Sequence, residues 1–210
     1  MRLQLLVTAL LIVLAGHAAA SAGETTKTFP DYQCQYTLPG KDWTWANPKS
    51  DSVAVCVAHN GAGLKFMLAV APVPAGTVVD AEFTDGFDGG MSSAGPIKKR
   101  GGRLTTFKGL SCYECEWLVR GTSSAAFRVV IANGFAYQVQ LLGGADPVEK
   151  RADFEDIMNG FGFTSPPVAP VAPEPLDPVE KLSRRIGQVG VYCLFGALVL
   201  GLVVRGARKK

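Results

Sequence analysis

Apolar and polar positions alternate shortly after residue 30 with the two-residue period of a half-buried β-strand. Positions 32 to 37 keep this alternation until Leu38-Pro39-Gly40 ends it. Two longer apolar runs, 52–59 and 64–71, lie on either side of Asn60-Gly61, and Asn-Gly between apolar runs is typical of a hairpin. The pattern therefore predicts three strands in the first part of the domain.

A second Asn-Gly pair gives the strongest hairpin signal in the chain. Asn133-Gly134 separates the apolar runs 127–132 and 135–142 by two residues, the length of a tight turn in which both residues take a positive φ. Apolar side chains would then point to both sides of the hairpin: Val130, Tyr137, Val139 and Leu141 to one face, and Phe127, Val129 and Ile131 to the other. A sheet that is apolar on both faces needs a cover on each.

Two amphipathic patterns predict the helices that provide these covers. Thr77 is the expected N-cap of the first helix, with Asp80 three residues later, and the second helix begins at Asp146-Pro147. Their apolar stripes are Val79, Phe83, Phe87 and Met91 in the first, and Phe154, Ile157, Met158 and Phe161 in the second. The sequence predicts an α+β domain in which an antiparallel β-sheet is covered by helices on both faces.

The two ends of the chain carry apolar segments of different kinds. Residues 1–22 combine a positive start, an apolar run and small residues at the end, the pattern of a secretory signal peptide, although an uncleaved anchor has a similar pattern. Residues 186–204 contain no charge and would span about 28 Å as a helix, close to the ~30 Å core of a bilayer. We therefore expect one C-terminal transmembrane helix, followed by a basic cytoplasmic tail at 205–210.

The region between these ends reads as an exported domain on a linker. Residues 24–163 form the expected extracytoplasmic domain, and residues 164–185 form a Pro-rich linker, which is either a stalk or a simple connection. Pro173-Glu174-Pro175 ahead of an apolar stretch also resembles the start of bacterial sorting tails, but the polar spacer 176–185 favours a retained anchor. The predicted product is a single-pass membrane protein whose domain is periplasmic or extracellular; the absence of any Asn-x-Ser/Thr sequon agrees with a bacterial source.

Charge distribution argues against nucleic acid as a partner. The whole chain has a formal charge of +3, but residues 23–163 contain 13 basic and 15 acidic residues, a balance of −2. The basic excess therefore lies at the two ends, next to the apolar segments, where positive residues affect membrane orientation.

Four short segments of the domain carry a resemblance to a known family. They are Leu38-Pro39-Gly40 followed by Trp43, Phe107-Lys108-Gly109-Leu110, the stretch 132–137, and the final-helix pattern Phe154, Ile157, Gly160, Phe161. With the order of strands and helices, they resemble the Mog1/PsbP α/β/α sandwich over residues 31–163. The resemblance implies a largely non-catalytic binding or assembly protein, and some members of the family are attached to photosynthetic membranes.

The cysteines are the main candidates for chemistry. Cys34, Cys56, Cys112 and Cys115 form an even set in an exported domain, where disulfides persist, so we expect Cys34 to pair with Cys56 and Cys112 with Cys115. The local pair has a difficulty, because residues three apart on a regular strand point to opposite faces and a bridge would need a bulge there.

The alternative is a thiol-disulfide oxidoreductase that uses the Cys112/Cys115 pair, since Cys-x-x-Cys is a redox spacing. Against it, Glu114 and Glu116 would raise a thiol pKa rather than lower it, and the segment reads as a strand. A zinc site would need a second close pair, which the spacing of Cys34 and Cys56 does not provide. No metal ligand set, cofactor or catalytic residue is predicted.

Surface contacts are expected from aromatic and small residues. Trp43 and Trp45, two apart in an extended loop, form a candidate binding surface, although either could instead pack at the end of the core. Cys193, Ala197 and Gly201 place small residues on one face of the predicted transmembrane helix, where a second copy could pack. The predicted function is a membrane-anchored, extracytoplasmic binding or assembly module without catalytic activity, with the bilayer and a membrane or envelope protein as partners.

Overall fold

The computed structural model describes residues 25–48, 54–93, 95–148 and 154–171. The predicted signal peptide, transmembrane helix, basic tail and sorting motif lie outside these ranges, as does the face formed by Cys193, Ala197 and Gly201. Within the described ranges, no helix combines the length and the apolar character needed to cross a bilayer.

The described part of the chain forms two antiparallel sheets. The large sheet has the strand order β3-β4-β5-β9-β8-β7-β6, and the small sheet has the order β1-β2-β10. The strands of the large sheet are β3 (Trp43–Ala46), β4 (Ala54–Asn60), β5 (Lys65–Pro72), β6 (Ile97–Phe107), β7 (Leu110–Val119), β8 (Ser123–Ala132) and β9 (Phe135–Leu142). Those of the small sheet are β1 (Thr26–Phe29), β2 (Cys34–Thr37) and β10 (Phe161–Phe163).

The predicted tight turn at Asn133-Gly134 is confirmed. Both residues have a positive φ, 54° and 78°, and Ala132 pairs directly with Phe135. Lys108 and Gly109, with φ of 50° and 80°, make the same kind of turn between β6 and β7. These two-residue turns match the twist of the strands that they join, so the central register is fixed locally.

The two apolar faces of the large sheet are also confirmed. Val130, Tyr137, Val139 and Leu141 belong to one core cluster, which we call core A, and Phe127, Val129 and Ile131 belong to a second, core B. The helix α1 (Ala81–Ser93) covers core B with Phe83, Phe87 and Met91, all buried. Its N-cap is not Thr77: the Asp80 carboxylate accepts a 2.8 Å hydrogen bond from the Phe83 amide.

Core A is covered differently from the prediction. The second helix is described only as α2 (Phe154–Asn159), six residues that bury Ile157 and Met158. The small sheet completes the cover: Tyr36 on β2 stacks on Phe66 at 3.7 Å between ring centroids, and its hydroxyl donates a 2.5 Å hydrogen bond to the Ile157 carbonyl. The fold is therefore mostly antiparallel sheet with few helices.

The first residues of the predicted linker contact the domain. The Val168 amide donates to the Asn133 side-chain oxygen at 2.8 Å, and the Asn133 amide donates to the Val168 carbonyl at 3.0 Å. Thr164 is likewise held, because its amide donates to the Gln33 carbonyl at 3.1 Å. The chain thus leaves the domain beside the β8–β9 turn.

The cover of core B can be tested by truncating one helix residue. Phe87 is 3% exposed and its ring lies 5.7 Å from Tyr113 and 5.9 Å from Phe127 between centroids. We expect Phe87→Ala to lower the free energy of unfolding by about 3–5 kcal/mol, measured by urea denaturation. Asp85→Ala, on the exposed side of the same helix, should change it by less than about 0.5 kcal/mol; equal effects would contradict the packing of α1 on the sheet.

Candidate functional site: a charged cleft beside the edge strand

Three charged side chains face one another across neighbouring strands. Arg103 on β6 is the register partner of Glu114 on β7, and Glu114 is the register partner of Arg128 on β8. Arg103 donates two hydrogen bonds to one carboxylate oxygen of Glu114, at 3.0 and 2.7 Å, and Arg128 Nε donates to the other at 2.8 Å. The strand register by itself therefore assembles an Arg-Glu-Arg row.

Arg128 is the buried member of this row, 5% exposed on the core A face of the sheet. Its guanidinium also donates to the Asn159 side-chain oxygen at 2.8 Å and lies 4.8 Å from the centre of the Phe107 ring. Glu155, whose side chain is largely exposed, approaches it at 3.4 Å. A buried cation needs such partners, since an unpaired charge away from water is costly.

A β-bulge places Arg100 beside the buried carboxylate of Glu116. The β6–β7 register shifts between Lys99 and Gly101, so Arg100 is an extra residue on the edge strand. Its guanidinium lies 3.3 Å from Glu116, which is 2% exposed, and donates to the Ser124 hydroxyl at 2.5 Å. Glu116 also accepts a 3.2 Å hydrogen bond from the Val148 amide.

Four of the charged side chains, Arg103, Glu114, Glu116 and Glu155, line a cleft of about 390 Å³. One wall is β6, where Gly101 and Gly102 carry no side chains, and the opposite wall is formed by Phe154 and Glu155 at the start of α2. Glu114 and Glu116 form part of the lining between these walls. The cleft is thus bordered by the edge strand of the large sheet and lined by charges that are already paired.

The electrostatics of the cleft favour recognition over proton transfer. Burial alone would raise the pKa of Glu114, but hydrogen bonds from Arg103 and Arg128 outweigh it and hold that pKa below its ordinary value. A carboxylate that stays ionised at neutral pH is a poor general acid or base, because efficient proton transfer needs a pKa near the working pH. It remains a strong hydrogen-bond acceptor with a fixed charge.

The structure does not contain the predicted disulfides. Cys34, Cys56, Cys112 and Cys115 are all free, buried thiols. Burial raises the pKa of each to about 12. Cys34 and Cys56 lie in the same core but on strands of different sheets, β2 and β4.

The geometry of strand β7 rules out the predicted disulfide between Cys112 and Cys115. Both pair with β6 and β8 in an uninterrupted register, so the bulge that a bridge would need is absent between them. Cys112 lies in core A and Cys115 in core B, on opposite faces of β7. Two thiols on opposite faces of a sheet cannot form an intramolecular redox disulfide, and the geometry gives the oxidoreductase alternative no support.

The candidate binding surface at Trp43 and Trp45 is also wrong. Both residues lie on β3 and point the same way, as expected, but they point into core A and are 8% and 7% exposed. Trp45 packs edge-on against Tyr36, and Lys27 lies 4.8 Å above its ring. The alternative expectation, that a Trp fills the end of the core, is the one that the structure bears out.

Sequence reasoning missed the charged cleft, although one signal was present. Arg128 is a single charge inside the apolar run 125–132, and a charge on a strand buried on both faces requires an opposite charge nearby. Glu114 and Glu116 alternate with buried residues in the same way. Their pairing depends on the strand register, which local pattern does not give.

Among the described residues, no group of three or more His, Cys, Asp or Glu could hold a metal ion.

Comparison with known proteins places the fold but not the family. No family model matches this chain, and no curated protein matches it. The solution structure of cyanobacterial PsbP (CyanoP) from Synechocystis sp. PCC 6803 is similar, with a TM-score of 0.51 and 12% identity over 70% of this chain and 97% of that one. A crystal structure from Bacteroides thetaiotaomicron VPI-5482 reaches a TM-score of 0.45 at 10% identity, over 67% of this chain and 48% of that one, too low to carry an argument. The chain has a PsbP-like fold.

Thiol labelling distinguishes free cysteines from bridges. In unfolded protein that has not been reduced, a maleimide should label Cys34, Cys56, Cys112 and Cys115, because all four are free. In the folded protein the same thiols should react far more slowly, since burial keeps them protonated and shielded. Site-resolved mass spectrometry gives the readout, and protection in the unfolded state until a reductant is added would contradict the structure.

The Arg-Glu-Arg row makes a prediction about stability. Glu114→Gln removes the charge that compensates Arg128, whose side chain is 6% exposed, so we expect a loss of about 3–5 kcal/mol in the free energy of unfolding. The double variant Glu114→Gln/Arg128→Met should recover most of this loss, because Arg128 then leaves no uncompensated charge at this position. A double variant as unstable as the single one would contradict the ion-pair explanation.

The pair of Glu114 and Arg128 makes the stability of the fold depend on pH in the acidic range. The folded pKa of Glu114 lies below its unfolded value, so its contribution is fully present above the unfolded pKa and is lost as pH falls through the folded one. We expect stability to decline on acidification below the ordinary glutamate range, and the decline to be smaller in the double variant. Urea midpoints measured over a series of acidic pH values test this.

Proposed function

We propose that this chain is a membrane-anchored, extracytoplasmic binding or assembly module that works without catalytic chemistry. The charged cleft beside β6 is its recognition surface. The partner is a protein in the same membrane or envelope.

The observation that carries this proposal is the fixed charge pattern of the cleft. Glu114 is held ionised between Arg103 and Arg128, and Glu116 is held by Arg100. Each charge is oriented by strand register or by the bulge, so the pattern is present before any partner arrives. Preorganised polar groups at the border of a cleft lower the entropic cost of ordering side chains on binding. Catalysis is less well served: the raised pKa of the Cys112 thiol does not suit a nucleophile, and the lowered pKa of Glu114 does not suit a proton donor.

Support for the membrane location comes from the sequence. The signal-like pattern of residues 1–22 and the uncharged run 186–204 are the features of an exported, C-terminally anchored chain. The domain between them has a PsbP-like fold, and the resemblance to that family favours a binding or assembly role.

Protease protection tests the topology. Protease added to spheroplasts that express the full chain with a C-terminal tag should cut the Pro-rich linker and release the domain, while the tag stays protected inside. Cleavage of the tag in intact spheroplasts, or recovery of the mature chain in the soluble fraction, would contradict the proposed orientation.

Filling the cleft tests the recognition surface. An added Cβ at Gly101 meets no atom within 4 Å, so Gly101→Phe should place an aromatic ring at the wall of the cleft without straining the fold. We expect it to abolish cross-linking of the full chain to its membrane partner. Gly61→Phe is the matched control, because Gly61 is equally open and lies in the β4–β5 turn, outside the cleft lining. Equal cross-linking yields in the two variants, with unchanged thermal midpoints, would show that the cleft is not the recognition surface.

A further inference from the structure

We propose that the outer edge of β6 between Gly101 and Phe107 binds an extended acidic segment of the partner protein, which adds a strand to the large sheet. This inference rests on the proposed binding function and names the kind of partner. Strand addition uses backbone hydrogen bonds for affinity and alternate side chains for specificity.

The edge is long, and none of the described strands pairs with its outer side. In the described part of the chain β6 pairs with β7 alone, and it is an edge strand of eleven residues. Residues 98–104 are all exposed, and within the described ranges the neighbouring helix α1 reaches them only at their start, through the Lys99–Asp88 ion pair. A strand with one neighbour leaves its outward N–H and C=O groups without sheet partners. The opposite edge strand, β3, has only four residues, a length typical of a protected edge.

Protective features are confined to the first part of β6. The basic run Lys98-Lys99-Arg100 and the bulge between Lys99 and Gly101 both discourage pairing there. From Gly101 to Phe107 the pairing with β7 is uninterrupted, so this segment is a regular strand of seven residues. Strands in globular proteins most often have about 5–6 residues, so seven positions suffice for a stable addition.

Charge distinguishes the two simplest partners for this edge, a second copy of the chain and an acidic segment of another protein. The strand β6 carries Lys98, Lys99, Arg100 and Arg103 and has no acidic residue of its own. A second copy bound antiparallel over Gly101–Phe107 would set Arg100 opposite Lys108 of the other copy, which is unfavourable, and would bring no acidic residue to Arg103. An acidic segment meets Arg103, whose side chain stays 70% exposed while its ion-pair partner Glu114 is 13% exposed. Lys99 and Arg100 also form ion pairs within the domain, with Asp88 and Glu116.

The two faces of the edge specify an alternating partner. Arg103 lies on the core A side of the sheet, beside the cleft, and Leu104 lies on the other side, where it is 49% exposed. An added strand would therefore place every second side chain near Arg103 and the others near Leu104. Acidic residues at the first set of positions and apolar residues at the second fit this edge.

Synthetic peptides test the backbone and charge requirements separately. The probe is acetyl-Glu-Val-Glu-Val-Glu-Val-Glu-amide, added to the purified full chain in detergent and followed by amide hydrogen exchange. We expect it to bind and to slow exchange in β6, while the peptide with Lys in place of Glu binds at least about tenfold more weakly. Two further peptides carry N-methyl groups on alternate residues, one on the odd and one on the even positions. One of them should keep binding and the other should lose it, because alternate amides point to opposite edges of a strand.

Variants of the edge complete the test. Leu104→Glu adds a negative charge at an exposed edge position and should weaken binding of the acidic peptide by about tenfold, whereas Thr44→Glu, exposed on β3, should not change it. Equal binding of both N-methylated peptides would overturn strand addition, and a concentration-dependent dimer that Leu104→Glu abolishes would identify a second copy as the occupant instead. If the peptides fail while Gly101→Phe still abolishes partner cross-linking, the strand inference falls and the proposed function stands.

Discussion

The constraint on which the structure depends is a sheet that is apolar on both faces. The hairpin β8–β9 presents Val130 and Tyr137 to one side and Phe127 and Val129 to the other, and all four are buried. Each of these two faces has a cover: α1 covers core B, while α2 and the small sheet cover core A. Within the described residues α2 has six, and the small sheet completes the cover of core A. Tyr36 joins its two parts through one hydrogen bond to the Ile157 carbonyl.

The same constraint explains why the candidate site is an ionic row rather than a reactive centre. Arg128 lies on a strand that is buried on both faces, so its charge must be compensated within the sheet. Register places Glu114 directly beside it and Arg103 directly beside Glu114, which carries the charge pattern from the buried middle of the sheet to its exposed edge. Compensation of the buried Arg128 thereby leads to an ordered charge, Arg103, on the surface. The open edge of β6 and the cleft are next to each other because Gly101, Gly102 and Arg103 belong to both.

The cysteines show how strongly local geometry limits chemistry. Four thiols in a domain that the sequence predicts to be exported suggest bridges, and a Cys-x-x-Cys spacing suggests redox activity. A Cys112–Cys115 bridge and a redox pair both need these two side chains to meet. A regular strand sends residues three apart to opposite faces, so these thiols are divided between two cores. In those cores they pack as small apolar groups with raised pKa values.

The sequence by itself determined the features that depend on near neighbours. The Asn133-Gly134 turn, the two apolar faces of the hairpin beside it and the stripe Phe83, Phe87, Met91 follow from turn chemistry and periodicity, which act over a few residues. Only the tertiary structure decided that Trp43 and Trp45 are core residues and that β2 pairs with β1 and β10 in a separate small sheet. It also decided that Arg103, Glu114 and Arg128 form one row. These outcomes depend on which distant strands become neighbours and in which register, and a one-residue change in register would reverse every face. Pairing between strands far apart in sequence is a property of the whole sheet, so local pattern cannot encode it.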